Sequence, residues 1–150
     1  MRIRKMKHSD VNEVAKIWSN AFPKPFASNI SESKKLIKKV LKENKELCFV
    51  AVEKKDIIGF VMGYKFSGDI VSLGPIAVKR EYRGKGVGKA LVKKFEKASK
   101  NMKYSAILLT TRYIGETNEE RKYEASLFYE RLGFKEVAKS KKKRIYFKRI

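Results

Sequence analysis

The segment Val78-Lys-Arg-Glu-Tyr-Arg83-Gly-Lys-Gly-Val-Gly88-Lys-Ala-Leu91 sets three glycines between a strand-like apolar run and a helix-like one. Glycine leaves the backbone unobstructed and permits positive φ, so successive amides can turn toward one ligand. The start of a helix adds unpaired N–H groups and partial positive charge. Arg80, Arg83, Lys85 and Lys89 add full charges beside them. The chemistry this combination suits is the grip of an anion, a pyrophosphate above all.

Three phosphate patterns can be tested against these residues. A P-loop needs Gly where Arg83 stands and a hydroxyl where Ala90 stands, although Gly88-Lys89 fits its centre. The dinucleotide fingerprint fails as well. Counted from Gly84 it meets Lys89 where glycine is required, and counted from Gly86 it meets Leu91. The pattern [QR]-x-x-G-x-[GA] is matched by Arg83, Gly86 and Gly88. Leu73-Gly-Pro-Ile-Ala-Val78 precedes it and Lys89-Ala-Leu-Val92 follows. Downstream stands Ala125-Ser-Leu-Phe-Tyr-Glu-Arg-Leu-Gly-Phe134. With these words the chain resembles the GNAT superfamily of N-acetyltransferases over nearly its whole length.

That resemblance implies acetyl-CoA as co-substrate and a primary amine as acceptor, either a small molecule or a protein N-terminus or lysine. It implies that Arg83, Gly84, Lys85, Gly86, Val87, Gly88 and Lys89 hold the pyrophosphate, and that Ile76, Ala77 and Val78 run beside the pantetheine arm. Tyr129 matches the tyrosine that protonates the departing thiolate in many members. Many members carry Asn where this chain has Lys122. Lysine accepts no hydrogen bond, so at this position a contact to phosphate replaces one to the arm. The base is not specified: Glu116, Glu119, Glu120 and Glu124 are candidates, and they read equally as first-turn acids or solvated charges. With Glu130 they make the one acidic patch of a basic chain, which is expected to receive a cationic amine.

The elements that must position these residues follow from periodicity. A short strand over residues 2–6 precedes a helix capped by Ser9 or Asp10, with Val11, Val14, Ile17 and Trp18 on one stripe. Phe22-Pro-Lys-Pro-Phe26 breaks it. Trp18, Phe22 and Phe26 form an aromatic group that serves either the core or the acceptor pocket. A second helix starts at Ser31 and carries Leu36, Ile37, Val40 and Leu41. Strands are expected at Leu47–Val52, Ile57–Phe66 and Ile70–Val78, the last bulged at Gly74-Pro75 because Pro cannot donate to the ladder. A helix over Gly86–Lys100, a strand over Ser105–Thr111 and one helix over Asn118–Leu132 follow. Gly133 closes that helix, and strands Phe134–Ala138 and Ile145–Phe147 end the order. The fold class is α/β (α+β), a GNAT-like mixed, largely antiparallel sheet with helices on both faces. No break in composition divides the 150 residues, so one domain, residues 1–150, is expected.

Composition bounds the setting. Lys and Arg number 37 against 16 acids, a net charge of +21. Such a field draws anions, and the 13 Glu against 3 Asp also suit a thermophile surface. Cys48 is the only cysteine and lies in an apolar strand; His8 beside a helix start reads as a surface residue. With no signal-peptide stretch and no long apolar run, a cytoplasmic monomer or homodimer without membrane contact is expected. Two rivals stand beside acetyl transfer. One is a fold that binds acyl-CoA without catalysis. The other is a basic nucleic-acid-binding module built on Lys139, Lys141, Lys142, Lys143, Arg144, Lys148 and Arg149 around Tyr146 and Phe147. No zinc-ligand spacing or RNA-recognition signature accompanies that stretch.

Overall fold

The computed structural model describes residues 1–21, 29–122 and 124–150. The expected break at Phe22–Phe26, with two of its three aromatics, lies outside them. Seven strands form one sheet: β1 (Arg2–Lys5), β2 (Phe49–Glu53), β3 (Asp56–Ser67), β4 (Ile70–Val78), β5 (Ala106–Arg112), β6 (Lys135–Lys139) and β7 (Lys143–Arg149), in the order β1-β2-β3-β4-β5-β7-β6. All neighbours are antiparallel except β4 and β5. The helices are α1 (Val11–Ala21), α2 (Ile30–Glu43), α3 (Val87–Asn101), α4 (Asn118–Arg121) and α5 (Ser126–Arg131). The expected mixed, largely antiparallel sheet is present.

Period-two alternation sends side chains to two cores. Val50, Val52, Phe60 and Met62 meet Val11, Val14, Ile17, Ile37 and Val40 of α1 and α2 on one face. Phe49, Ala51, Val61 and Leu73 meet Leu91, Val92 and Phe95 of α3 and Tyr129 of α5 on the other. Trp18 packs at the edge of the first core. Leu36, expected on the buried stripe of α2, is 45% exposed; Ile37, Val40 and Leu41 keep the buried spacing. Gly63 is where the sheet and α3 come closest. A Cβ there would lie 2.2 Å from the Phe95 ring and 2.7 Å from the Ser72 carbonyl oxygen, so no larger residue fits.

Two local features open the sheet. On β4, Ile76 pairs Val61 and Leu73 pairs Gly63. The extra residue lies at Gly74-Pro75, where the bulge was expected, and that peptide is cis. The parallel pairing of β4 with β5 covers only Ile70, Val71 and Ser72 against Ala106, Ile107 and Leu108. Beyond Ser72 the strands part. β5 runs on to Arg112 in register with β7, and β4 runs on to Val78 in register with β3.

The expected single helix over Asn118–Leu132 is two pieces, α4 and α5. The physical reason is Glu124. Its side chain is fully buried and accepts from the backbone N–H of Ile114 at 2.6 Å and of Gly115 at 3.2 Å. A helix continuing through residue 124 would aim that carboxylate elsewhere. Gly133 ends α5 as expected, with φ +91°.

Candidate functional site

The glycine turn leaves the end of β4 and enters α3. Lys79 N–H donates to the Ile58 carbonyl at 2.8 Å, Tyr82 N–H to Lys79 at 2.9 Å, and Arg83 N–H to Arg80 at 3.1 Å. Gly84 (φ +74°) and Gly86 (φ +85°) then reverse the chain, and Gly86 is the left-handed cap of α3. Ala90 is the next residue whose N–H is taken, by the Gly86 carbonyl at 3.0 Å. Between them the N–H groups of residues 84–89 have no partner among the described residues. Nothing lies within 4 Å of a Cβ built on Gly84 or Gly86, so the turn is open at these two residues. Arg83 does not project into it, because its Nε donates to the Val78 carbonyl oxygen at 3.0 Å. The side chain braces the turn against the strand. Lys85 Nζ stands 5.6 Å over the Tyr82 ring.

The second sequence word meets this turn. A Cβ on Gly88 would come 3.2 Å from the Phe128 ring, so α5 packs on the first turn of α3. Phe128 meets Tyr129 edge-on at 5.1 Å, and Tyr129 meets Phe134 at 5.7 Å. Tyr129 is 4% exposed and shares a core with Val87 and Leu91. Among the described residues no hydrogen bond engages its hydroxyl. Burial pushes its pKa above the usual tyrosine range. The break before α5 removes Lys122 from the face expected to join it to Tyr129. Lys122 is exposed and paired with Glu119 at 2.7 Å, and Ala125 is exposed while Ser126 is buried.

The acidic patch is not a set of free charges. Glu116 pairs with Lys139 and accepts from the Tyr113 hydroxyl at 2.8 Å; Lys139 and Tyr113 hold its pKa down at about 2. Glu120 accepts from the Thr117 hydroxyl at 2.7 Å, and Thr117 Oγ1 caps α4 by accepting from Glu120 N–H at 3.1 Å. Glu130 binds Arg121 and the Tyr146 hydroxyl, the latter at 2.7 Å. Glu124 is the most constrained. Burial alone would raise its pKa, but the two backbone N–H groups, the Ser126 hydroxyl at 2.9 Å and Arg144 Nε at 2.8 Å overcome that and lower it. A cation entering here would have to displace an existing partner at each of these carboxylates.

Arg144 overturns its reading as part of a solvated basic stretch. It is 2% exposed. Its guanidinium donates to Glu124, to Glu136 at 2.6 Å and to the Gly115 carbonyl, and it lies 4.6 Å from the Tyr113 ring centroid. Tyr146 is fully buried, and Lys148 binds Glu96 and the Leu132 carbonyl, both at 2.7 Å. Alternation along β7 put Arg144, Tyr146 and Lys148 on one face, and that period was the available signal for it. Opposite Arg144 on β5, Thr111 carries a buried hydroxyl without a partner among the described residues. His8 is exposed as expected. Cys48 is core, and burial pushes its thiol up to about 11.

Beside the turn lies a cleft of ≈ 500 Å³ between α1 and residues 78–83, where Lys16, Lys79 and Arg80 face Glu13 and Glu81. Among the described residues no helix is long and apolar enough to cross a membrane.

A family model described as an acetyltransferase (GNAT) domain matches residues 44–136. The chain is similar in structure to Ard1 from Thermoplasma volcanium, at 21% identity and a TM-score of 0.82 over 99% of this chain and 97% of that one. It is similar to the PaiA N-acetyltransferase of Thermoplasma acidophilum, solved in complex with coenzyme A, at 21% identity and 0.82 over 99% and 98%. It is similar to the ribosomal-protein-S18-alanine N-acetyltransferase of Escherichia coli at 19% identity and 0.76 over 99% and 93%. At these identities the likeness is one of fold. No curated protein sequence matches the chain.

Proposed function

The chain belongs to the GNAT acetyltransferase family, and on that premise we propose that it moves an acetyl group from acetyl-CoA to a primary amine by direct attack on the thioester. The observation that carries this is the row of unpartnered N–H groups over residues 84–89 at the head of α3, beside the edge of β4 that β5 leaves free. The donors fit a polyphosphate, which needs several N–H groups turned to one side and no Cβ in the way. Arg80, Lys85 and Lys89 supply charge. Arg83 acts through the Val78 carbonyl and holds the turn in shape. The free edge at Ile76, Ala77 and Val78 offers backbone groups to an extended arm, as a further strand would.

Acetyl-CoA supplies an activated acyl carbon. The nitrogen–carbon bond forms, the carbon–sulfur bond breaks, the amine loses a proton and the sulfur gains one. Tyr129 is the proton donor in this proposal. Its raised pKa keeps the hydroxyl protonated at neutral pH, but a phenol so weakly acidic does not hand its proton outright to a thiolate, whose own pKa is near 8.5. The hydroxyl therefore relays. It gives a proton to sulfur and recovers one from the acylated nitrogen. No separate carboxylate base is needed, in keeping with the partners that already hold Glu116 and Glu124. The amine must arrive neutral, which for a lysine-like amine of pKa about 10.4 costs a preceding deprotonation.

The test is thiol release from acetyl-CoA across peptides, amino acids and polyamines. Activity on at least one amine is expected. Tyr129→Phe should lower kcat by roughly 10²–10⁴-fold with acetyl-CoA affinity intact. The rate should rise with pH as the amine deprotonates, with no falling limb from Tyr129 below pH about 10. Tight acetyl-CoA binding without turnover of any amine would establish the non-catalytic alternative. A Tyr129→Phe enzyme of full rate would remove the relay.

A further inference from the structure

The charge of +21 is distributed unevenly, and the structure separates consumed cations from free ones. On β6 and β7, Lys139, Arg144 and Lys148 are each bound to a carboxylate. On α3 the opposite holds. Lys89, Lys93, Lys97 and Lys100 recur at helical spacing on the side away from the buried Leu91, Val92, Phe95 and Ser99. None of the four has an ion pair, hydrogen bond or ring contact among the described residues. The helix has one acid, Glu96, and Lys148 takes it. Like charges four residues apart destabilise a helix, and surfaces that serve solubility alone intersperse both signs. Among the described residues, no carboxylate pairs with any of these four lysines.

A second feature adjoins the stripe. Phe49, Ala98 and Met102 line an apolar recess of ≈ 220 Å³ whose rim carries Lys94, Lys97 and the Lys5–Glu46 ion pair; Phe49 is buried at its floor, with Lys94 Nζ 5.9 Å from its ring centroid. Met102 is 43% exposed. Lys97 belongs to both the recess and the stripe. A row of cations suits a row of phosphates. An apolar recess beside that row suits the flat face of an unstacked base, which a duplex keeps covered. An anionic membrane fits less well, because a membrane-lying helix carries large apolar residues on its exposed face, and the stripe has none between Lys89 and Lys100.

We propose that the exposed face of α3 from Lys93 to Lys100, with the adjoining Met102, binds single-stranded nucleic acid, with phosphates along Lys93, Lys97 and Lys100 and a base against Ala98 and Met102 in the recess. The site is independent of acetyl transfer and stands whether or not that reading holds.

The experiment is fluorescence anisotropy of a labelled oligouridylate of about 20 nucleotides, a length that exceeds one such site. It is titrated with the intact chain, with a Lys93→Gln/Lys97→Gln/Lys100→Gln variant, and with a Lys135→Gln/Lys141→Gln/Lys142→Gln variant of equal net charge. Each phosphate contact on a single strand contributes about 0.7 to the salt slope, so three lost contacts should flatten it by about 2 and weaken binding roughly 100-fold near 0.1 M salt. The control variant should keep the slope within about one contact's worth of the wild type. Thermal melting of the control variant should match the wild type and that of the α3 variant should be no lower, and thiol release, where present, should be unchanged. Equal weakening by the two variants would overturn the proposal in favour of bulk charge. So would tighter binding to a duplex of the same length, tighter binding to phosphatidylserine vesicles, or no binding by the wild type at low salt.

Discussion

The turn over residues 84–89 and the cluster around Arg144 both concentrate polar groups, and they treat them in opposite ways. In the turn, successive backbone donors are left without partners among the described residues. In the cluster, one buried guanidinium meets Glu124, Glu136 and the Gly115 carbonyl, and Glu124 accepts from four donors. A group already satisfied inside the chain has little left for a ligand. The difference teaches that formal charge in a sequence is a poor guide to where ligands go. What matters is which groups folding leaves unpaired. Glu116 to Glu130 look like a receptor for a cation and are a set of internal tethers. The glycines carry no charge and present the open donors.

That contrast can be broken or sharpened by substitution. The largest effect is expected at Arg144. Arg144→Met strands Glu124 as a buried, unpaired carboxylate and should cost about 3–5 kcal/mol of unfolding free energy by chemical denaturation. Adding Glu124→Gln to that variant should return part of the loss. If Arg144→Met unfolds like the wild type, the cluster is not a tether. Next comes the turn. Gly86→Glu places a side chain at φ +85° and a carboxylate among the open donors. Losing charge-assisted hydrogen bonds worth roughly 1.5–3 kcal/mol corresponds to a 10–150-fold weaker Kd for acetyl-CoA by calorimetry. Unchanged affinity would remove the turn from the binding site.

A smaller effect is expected with acid. The native pKa of Glu124 lies below its unfolded value, so its contribution is present above pH about 4.3 and disappears as pH falls through the lowered native value. The wild-type Tm should therefore drop more steeply below that pH than the Tm of Glu124→Gln. Parallel curves would show that the carboxylate has the same pKa folded and unfolded. The smallest effect belongs to Lys139→Gln. Its partner Glu116 is at the surface, where ion pairs contribute little, and its Tm should stay within the scatter of the measurement. A clear drop would extend the tether network outward to the surface.

What the sequence discloses follows from how far apart the cooperating residues stand. Arg83, Gly86 and Gly88 are neighbours in the chain, so their spacing states the geometry almost directly. The same holds for the bulge at Gly74-Pro75, which proline's missing donor announces. The break between α4 and α5 was harder to read. Asn118-Glu-Glu-Arg-Lys122 lacks the apolar stripe that anchors a helix, and that absence was the legible warning. Its cause lies in contacts of Glu124 with Ile114, Gly115 and Arg144, across up to 20 residues. No local pattern carries that information. The free state of the α3 lysines was hidden for the same reason, since Glu96 looks available within the helix until β7 brings Lys148 to it.

The parting of β4 from β5 has a mechanical consequence. Among the described residues, three residue pairs and the Ser105 N–H bond to the Asp69 carbonyl oxygen at their end join β4 to β5 through the backbone, so the sheet is two plates on a short seam. The amides past Ser72 and Leu108, which look onto the gap, are where protection against solvent exchange ends early. An extended molecule lying along the free edge of β4 would act as a splint across the seam. It would stiffen the plates against one another and slow exchange along both flanking strands at once.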